Sequence, residues 1–477
     1  MDQFLLKNLL FFMLFGGFID ASELAESQPP RPNIVVILCD DLGYGDLACF
    51  GHPHIRTPNL DRLAKGGIRF TDCYSAAPVC SPSRVGLLTG RNPNRAGIYD
   101  WIPRGHAMHL AADQRTLASM LGDAGYDTGL FGKWHCNGLF NKPDQPQPND
   151  HGFDHWYATQ NNAAPSHENP TNFVRNGDPV GPQVGFSCQL VAQEASHWIR
   201  SRKDQSRPFF SFVCFHEPHE PVASPMELVE GYTAVASNAD QAQYFANVEN
   251  MDAAVGDLMK TLQELGLEEN TLIFFSSDNG PETLDRYKTA NRSHGSPGSL
   301  RGMKLWIYEG GIRVPGIAYW PKSIAPGQTV CEPVCSLDLL PTFANLSGGR
   351  IDKTKPIDGT DLTDLLTQGA SPERHTPLYW FYYRAYPKPK AALRDGDWMV
   401  LGHWDGPDLG PGGSVQQGDT DLIKQHKLVG FELYNIKNDP MQSQDLAGRE
   451  PELLDRLARK LREKYTQIQT EGRSWDK

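Results

Sequence analysis

Three almost uninterrupted apolar runs constrain this chain most. Residues 33–38 (NIVVIL), 208–215 (PFFSFVCF) and 271–275 (TLIFF) lack the polar alternation of a strand with one face in water. Such runs suit strands buried on both faces. Between them lie helix-like segments. One is 57–65, with Thr57 placed to cap and Pro58 in the first turn. Others are 116–124, ending at Gly125, and 244–265, with Gly266 as the expected C-cap. Strands alternating with helices predict an α/β domain built on a large, mainly parallel mixed sheet flanked by helices. Residues 144–187 are rich in Pro, Asn, His and Gly and suggest a long binding loop. After about residue 370 the pattern changes. Short strands are expected at 378–383 and 397–401, with turn signals at Asp395 and Gly396, and an amphipathic helix at 450–467. The layout expected is an α/β domain over 30–370 and a smaller α+β C-terminal domain over 371–477.

Lys7 followed by the apolar stretch 9–19, with small Ala21 and Ala25 beyond, fits a secretory signal over residues 1–25. A secreted or periplasmic location is expected. No other stretch is long and apolar enough for an integral membrane span. Asp plus Glu number 57 against 45 Lys plus Arg, a net charge of −12 with no long basic block. That argues against nucleic acid as a partner, so an anionic substrate would need a local basic pocket. The nine cysteines are an odd count, so at least one is unpaired or modified. Cys39 and Cys214 end apolar runs and suit core thiols. Cys331 and Cys335 are close enough to invite a disulfide.

Two motifs carry chemistry. Asp40 and Asp41 follow the first buried run, and Asp278 and Asn279 follow the run at 271–275. Ligands bind at the carboxyl ends of strands in open α/β sheets. Adjacent carboxylates repel one another unless a cation lies between them, and an all-oxygen set suits Ca²⁺ or Mg²⁺. The second motif is 80–84 (CSPSR). Ser81 and Pro82 are placed as cap and first-turn proline, so Cys80 is expected just before a helix N-terminus, which favours anions. Arg84 is within reach of the same point.

The motif Cys80-x-Pro82-x-Arg84 resembles the signature of the type I, formylglycine-dependent sulfatases of the alkaline-phosphatase-like superfamily. The resemblance extends over most of the chain, through 32–46 (PNIVVILCDDLGYGD), 57–64 (TPNLDRLA), 132–135 (GKWH), 218–221 (PHEP), 277–280 (SDNG), 302–304 (GMK) and 309–315 (EGGIRVP). It implies that a maturation enzyme converts Cys80 to Cα-formylglycine, whose hydrated aldehyde is the nucleophile. It implies that Asp40, Asp41, Asp278, Asn279 and the modified Cys80 bind a divalent cation, normally Ca²⁺, with Mg²⁺ as the other candidate. Arg84 would hold the hydrated aldehyde, Lys133 and Lys304 the sulfate oxygens. His135 would act on the formylglycine hydroxyl and His219 on the leaving-group oxygen. The family also places a substrate contact near 152–170, where Asn161, Asn162 and His167 are candidates. The expected activity is hydrolysis of a sulfate monoester, with a sulfated sugar as substrate. The alternatives are a phosphonate or phosphodiester hydrolase on the same fold, and an inactive relative that binds sulfated glycans.

Overall fold

The computed structural model describes residues 31–282, 288–386, 388–410, 413–416 and 418–475. The signal segment expected over 1–25 lies outside them. From Pro32 onward the chain forms one compact unit. Its main sheet is built from β1 (Asn33–Asp40), β2 (Ile68–Tyr74), β3 (Asp127–Lys133), β4 (His155–Thr159), the short β5 (Val174–Arg175) and β6 (Asp178–Pro179), β7 (Phe209–Pro218), β8 (Thr271–Ser277), β9 (Arg313–Tyr319), β10 (Gln328–Val330) and β11 (Val334–Cys335). The order is β10-β2-β9-β8-β1-β7-β3-β4-β5-β6, with β11 beside β2. The central run β8-β1-β7-β3-β4 is parallel throughout. β9 is antiparallel to both its neighbours, which makes the sheet mixed, as expected.

The apolar runs have no alternation because both faces of these strands are covered. Ile34, Val36 and Leu38 of β1 face a core shared with Val85, Leu88, Leu117, Leu121 and Leu340. Val35, Ile37 and Cys39 face the opposite core, with Leu60, Val191, Ile199, Val255 and Leu258. The helices Pro58–Gly66, Ser187–Ser201 and Ala239–Glu264 supply that second layer.

Several boundaries depart from the sequence reading. The helix Ala239–Glu264 starts before residue 244, because the Asn238 side chain caps it by accepting from the Gln241 N–H, and Leu265 takes the C-cap position given to Gly266. The segment 144–187 is not loop alone. It contains β4, buried and parallel to β3, so its polar composition concealed a strand. Cys331 and Cys335 are both free thiols, the first exposed and the second buried, so no disulfide joins them.

A second, antiparallel sheet follows: β12 (Leu378–Phe381), β13 (Ala391–Asp395), β14 (Trp398–Trp404) and β15 (Leu428–Asn435). Gly396, at φ 62°, makes the turn between β13 and β14. One face packs on the helix Pro451–Glu471 through Leu393, Val400, Leu433, Leu457 and Leu461. The other packs Trp380, Ala392 and Met399 against Tyr74, Val79 and Cys80. A buried ion cluster joins the two sheets. Asp72 on β2 accepts from Arg394 on β13 at 2.7 Å and from Arg313 on β9 at 2.8 Å. Glu309 neutralises the far side of Arg313 at 3.0 Å. Each charge is paired, so the cluster fixes the register of one sheet on the other.

Candidate active site

Four adjacent parallel strands deliver their carboxyl ends to one place. β1 ends in Asp40, with Asp41 next. β8 is followed by Asp278 and Asn279, β3 ends in Lys133 with His135 just beyond, and His219 follows β7. The parallel register puts Asp40 beside Pro218 and Cys39 beside Ser277. The strands therefore bring together residues far apart in the chain, at the position where open α/β sheets bind ligands.

The helix that faces these ends begins at Cys80 and runs to Thr89. Cys80 is thus the first residue of the helix, and Val79 is its N-cap. Ser81 does not cap; its Oγ accepts from the Ile102 N–H at 3.0 Å. Arg84, one turn on, is buried and spans the site. Its Nε and Nη2 lie 2.9 and 2.8 Å from Asp278 Oδ2, and its Nη1 donates to the Lys133 carbonyl at 2.9 Å.

Cations and carboxylates interleave. Lys133 Nζ donates to Asp40 Oδ2 at 2.5 Å, and Lys304 Nζ to Asp41 Oδ2 at 2.6 Å. Asn279 Nδ2 donates to Asp41 Oδ1 at 2.7 Å, and the Asp41 N–H reaches Asp278 Oδ1 at 3.3 Å. His219 presents Nε2 to Asp41 Oδ2 at 3.5 Å, while its Nδ1 donates to the Glu220 carbonyl at 2.8 Å. His135 turns Nε2 to the Ile102 carbonyl at 3.1 Å. A carbonyl only accepts, so Nε2 carries the hydrogen. Nδ1, buried and without a hydrogen-bond partner among the described residues, is left with its lone pair.

Electrostatics follow from this packing. Burial, then the neighbouring Lys133 and Arg84 charges, hold His135 well below its usual range, so it is neutral. Burial pushes the Cys80 thiol up to about 11, against the pull of Lys133 and Lys304. A plain thiol there is protonated at neutral pH and a weak nucleophile. Burial and the nearby Asp40 push the Asp278 carboxyl up to about 7. Three carboxylates converge, and Asp40 Oδ1 and Asn279 Oδ1 are buried with no hydrogen-bond partner among the described residues. Asp40, Asp41 and His219 offer ligand atoms within 4.8 Å of one another. The oxygen-rich set fits a hard divalent cation. Asp41, His135 and Leu305, beside Lys304, adopt φ of 64°, 53° and 70°. Non-glycine residues there cost about 1–3 kcal/mol each, and such strain clusters at functional sites.

Other candidates fall differently. Asn161 and Asn162 are partly exposed just after β4, whereas His167 is fully buried. The His167 Nδ1 contacts the Asn247 amide at 3.1 Å, so it ties its loop to the helix Ala239–Glu264 and does not meet solvent. Two side chains beside the site escaped the sequence reading. Glu220 places Oε2 3.0 Å from His219 Nδ1, and the Trp101 ring lies 6.5 Å from the His135 ring. Glu220 stands within the 218–221 motif and could have been noticed there. Nothing in the sequence around Trp101 marks it.

Residues 32–349 match the Sulfatase family, and residues 303–398 match the family described as N-sulphoglucosamine sulphohydrolase, C-terminal. The chain belongs to the sulfatase family. It is a sulfuric ester hydrolase. Human arylsulfatase A is 36% identical over 92% of this sulfatase and 88% of its own length. Rat N-acetylgalactosamine-6-sulfatase is 32% identical over 91% and 85%. Among solved structures, Ps i-CgsB in complex with k-i-k-neocarrahexaose aligns with a TM-score of 0.76 at 29% identity. That alignment covers 92% of this sulfatase and 94% of the other chain.

Proposed function

We propose that this sulfatase removes sulfate from a sulfated carbohydrate, using a formylglycine made from Cys80 and a bound Ca²⁺ or Mg²⁺. The observation that carries the reading is the ring of buried cations around the start of the Cys80 helix. Arg84, Lys133 and Lys304 point into one small volume with a helix N-terminus, a setting for an anion of sulfate size. The sugar is supported by the named relatives, one an N-acetylgalactosamine-6-sulfatase and one solved with a neocarrahexaose. The apolar N-terminal stretch supports export from the cytoplasm.

Asp40, Asp41, Asp278 and Asn279, with the modified Cys80, would hold the cation, which supplies positive charge against the sulfate oxygens. The formylglycine, as its hydrate, would offer two hydroxyls on one carbon, one as the nucleophile toward sulfur and one whose deprotonation would expel sulfate and restore the aldehyde. Lys133 and Lys304 would turn from their carboxylates to the substrate oxygens, and Arg84 would orient the modified side chain. The neutral His135 would accept a proton at Nδ1. His219, with its Nδ1–H held by the Glu220 carbonyl, would act as the imidazolium, delivering the Nε2 proton to the departing alcohol and being left neutral with its hydrogen on Nδ1. Maturation requires a formylglycine-generating enzyme in the host.

Two measurements test this. Peptide mass spectrometry of active protein should show the Cys80 sulfur replaced by an aldehyde oxygen. A panel of sulfated mono- and oligosaccharides should yield free sulfate. Full activity with an intact Cys80 thiol would overturn the nucleophile. Turnover of phosphonates or phosphodiesters with no sulfate release would favour the other hydrolase chemistry.

A further inference from the structure

Trp101 is half-buried against a catalytic residue, yet every polar group it owns is committed elsewhere. Its Nε1 donates to the Gly413 carbonyl at 2.8 Å. Its own carbonyl accepts from Ser414 Oγ at 2.6 Å, and its N–H donates to Asp100 Oδ1 at 2.8 Å. Asp100 is fully buried and accepts from Tyr382 at 2.9 Å, so the loop is gripped by segments just before and after β13 and β14. The indole is held 6.5 Å from the buried His135 ring, tilted by 50°, and keeps part of its surface in solvent.

An indole clamped by its N–H has only its ring surface left to offer. It cannot serve a substrate as a donor. Aromatic surfaces beside a polar catalytic centre bind the apolar C–H face of a ligand while charged groups hold its polar end. A pyranose has such a face. One hydrogen bond at the indole and two at its backbone hold Trp101 before substrate arrives, so little side-chain entropy is lost on binding.

We infer that Trp101 is the stacking platform for the sugar ring that carries the sulfate, a specificity-determining contact supplied jointly by the loop that follows the Cys80 helix and the later segments that clamp it. This rests on the carbohydrate reading above. It separates two tasks within one site: Arg84, Lys133 and Lys304 take the sulfate, and Trp101 takes the sugar.

The test uses matured full-length enzyme with Trp101→Ala and Trp101→Leu, the second preserving apolar burial without an aromatic face. Steady-state kinetics on the best sulfated monosaccharide of the panel are compared with inhibition by inorganic sulfate. KM for the sugar sulfate should rise roughly tenfold in both variants, with kcat much less affected, the pattern of a lost binding contact. The inhibition constant for sulfate should hold at the wild-type value. An unchanged KM in Trp101→Leu would overturn the inference. So would a parallel loss of kcat and sulfate affinity, which would make the indole a support for His135. Wild-type enzyme that turns over aryl sulfates and none of the sugar sulfates would overturn the carbohydrate reading itself, and the platform with it.

Discussion

His219→Ala should separate sugar sulfates from activated aryl sulfates. The structure sets the size of the effect. His219 Nδ1 is tied to the Glu220 carbonyl at 2.8 Å, so Nε2 is the nitrogen turned to the site, 3.5 Å from Asp41. A sugar alkoxide leaves poorly without a proton, whereas an aryl oxide leaves readily. General acid catalysis contributes ~10²–10⁴-fold, about 3–5.5 kcal/mol of barrier, when the leaving group needs it. The cost to folding is smaller, about 1–3 kcal/mol for one hydrogen bond and the space left by the buried imidazole. The variant should therefore fold and lose kcat/KM on the sugar sulfate by at least ~10²-fold more than on an aryl sulfate. Lys304→Ala provides the control, since its ammonium would contact the sulfate common to both substrates and should damage both alike. The assay is the ratio of kcat/KM values for the two substrates in each variant. Equal losses on both substrates in His219→Ala would refute the proton-donor role and leave His219 as a sulfate or cation contact.

Exhaustive chelation should abolish activity, because Lys133 and Lys304 would stay paired with Asp40 and Asp41 and the sulfate would lose the charge of the cation, and Ca²⁺ or Mg²⁺ should restore it. Full activity in metal-free protein would exclude the cation site. Arg84→Met strands the buried Asp278 carboxylate and should cost roughly 3–5 kcal/mol, seen as a lower denaturation midpoint. Adding Asp278→Asn should recover part of that loss; no recovery would locate the cost outside this pair. Burial would raise the Glu194 carboxyl, but hydrogen bonds from His155 and Arg175 hold it down to about 2, below its ordinary 4.5. Its stabilisation is therefore present above pH 4.5 and is lost as pH falls toward 2. Glu194→Gln should lower stability at pH 7 by roughly 2 kcal/mol, and the gap from wild type should shrink as pH falls through that window. A constant gap from pH 7 to pH 3 would mean that Glu194 does not act through its charge.

Much of the framework was legible in the residues alone. A strand covered on both faces is apolar along most of its length, so β1, β7 and β8 announced themselves and with them the doubly covered sheet. Asp40, Asp41, Asp278 and Asn279 were visible as candidates because each stands directly after such a strand. β4 was hidden because its neighbours in sequence are polar loop residues and only its pairing with β3 reveals it.

What needed the tertiary structure is everything that depends on convergence. Lys133 and Asp40 stand far apart in sequence and are joined only because β3, β7 and β1 lie side by side. The choice of ring nitrogen in His135 and His219 was made by two backbone carbonyls, at Ile102 and Glu220, and a carbonyl leaves no trace in side-chain chemistry. Trp101 gave no local signal, since its place beside His135 depends on a clamp from residues 413 and 414. Residue type and local order determined which groups could do the chemistry. Long-range strand pairing and backbone hydrogen bonding decided which of them meet and which atom each one presents.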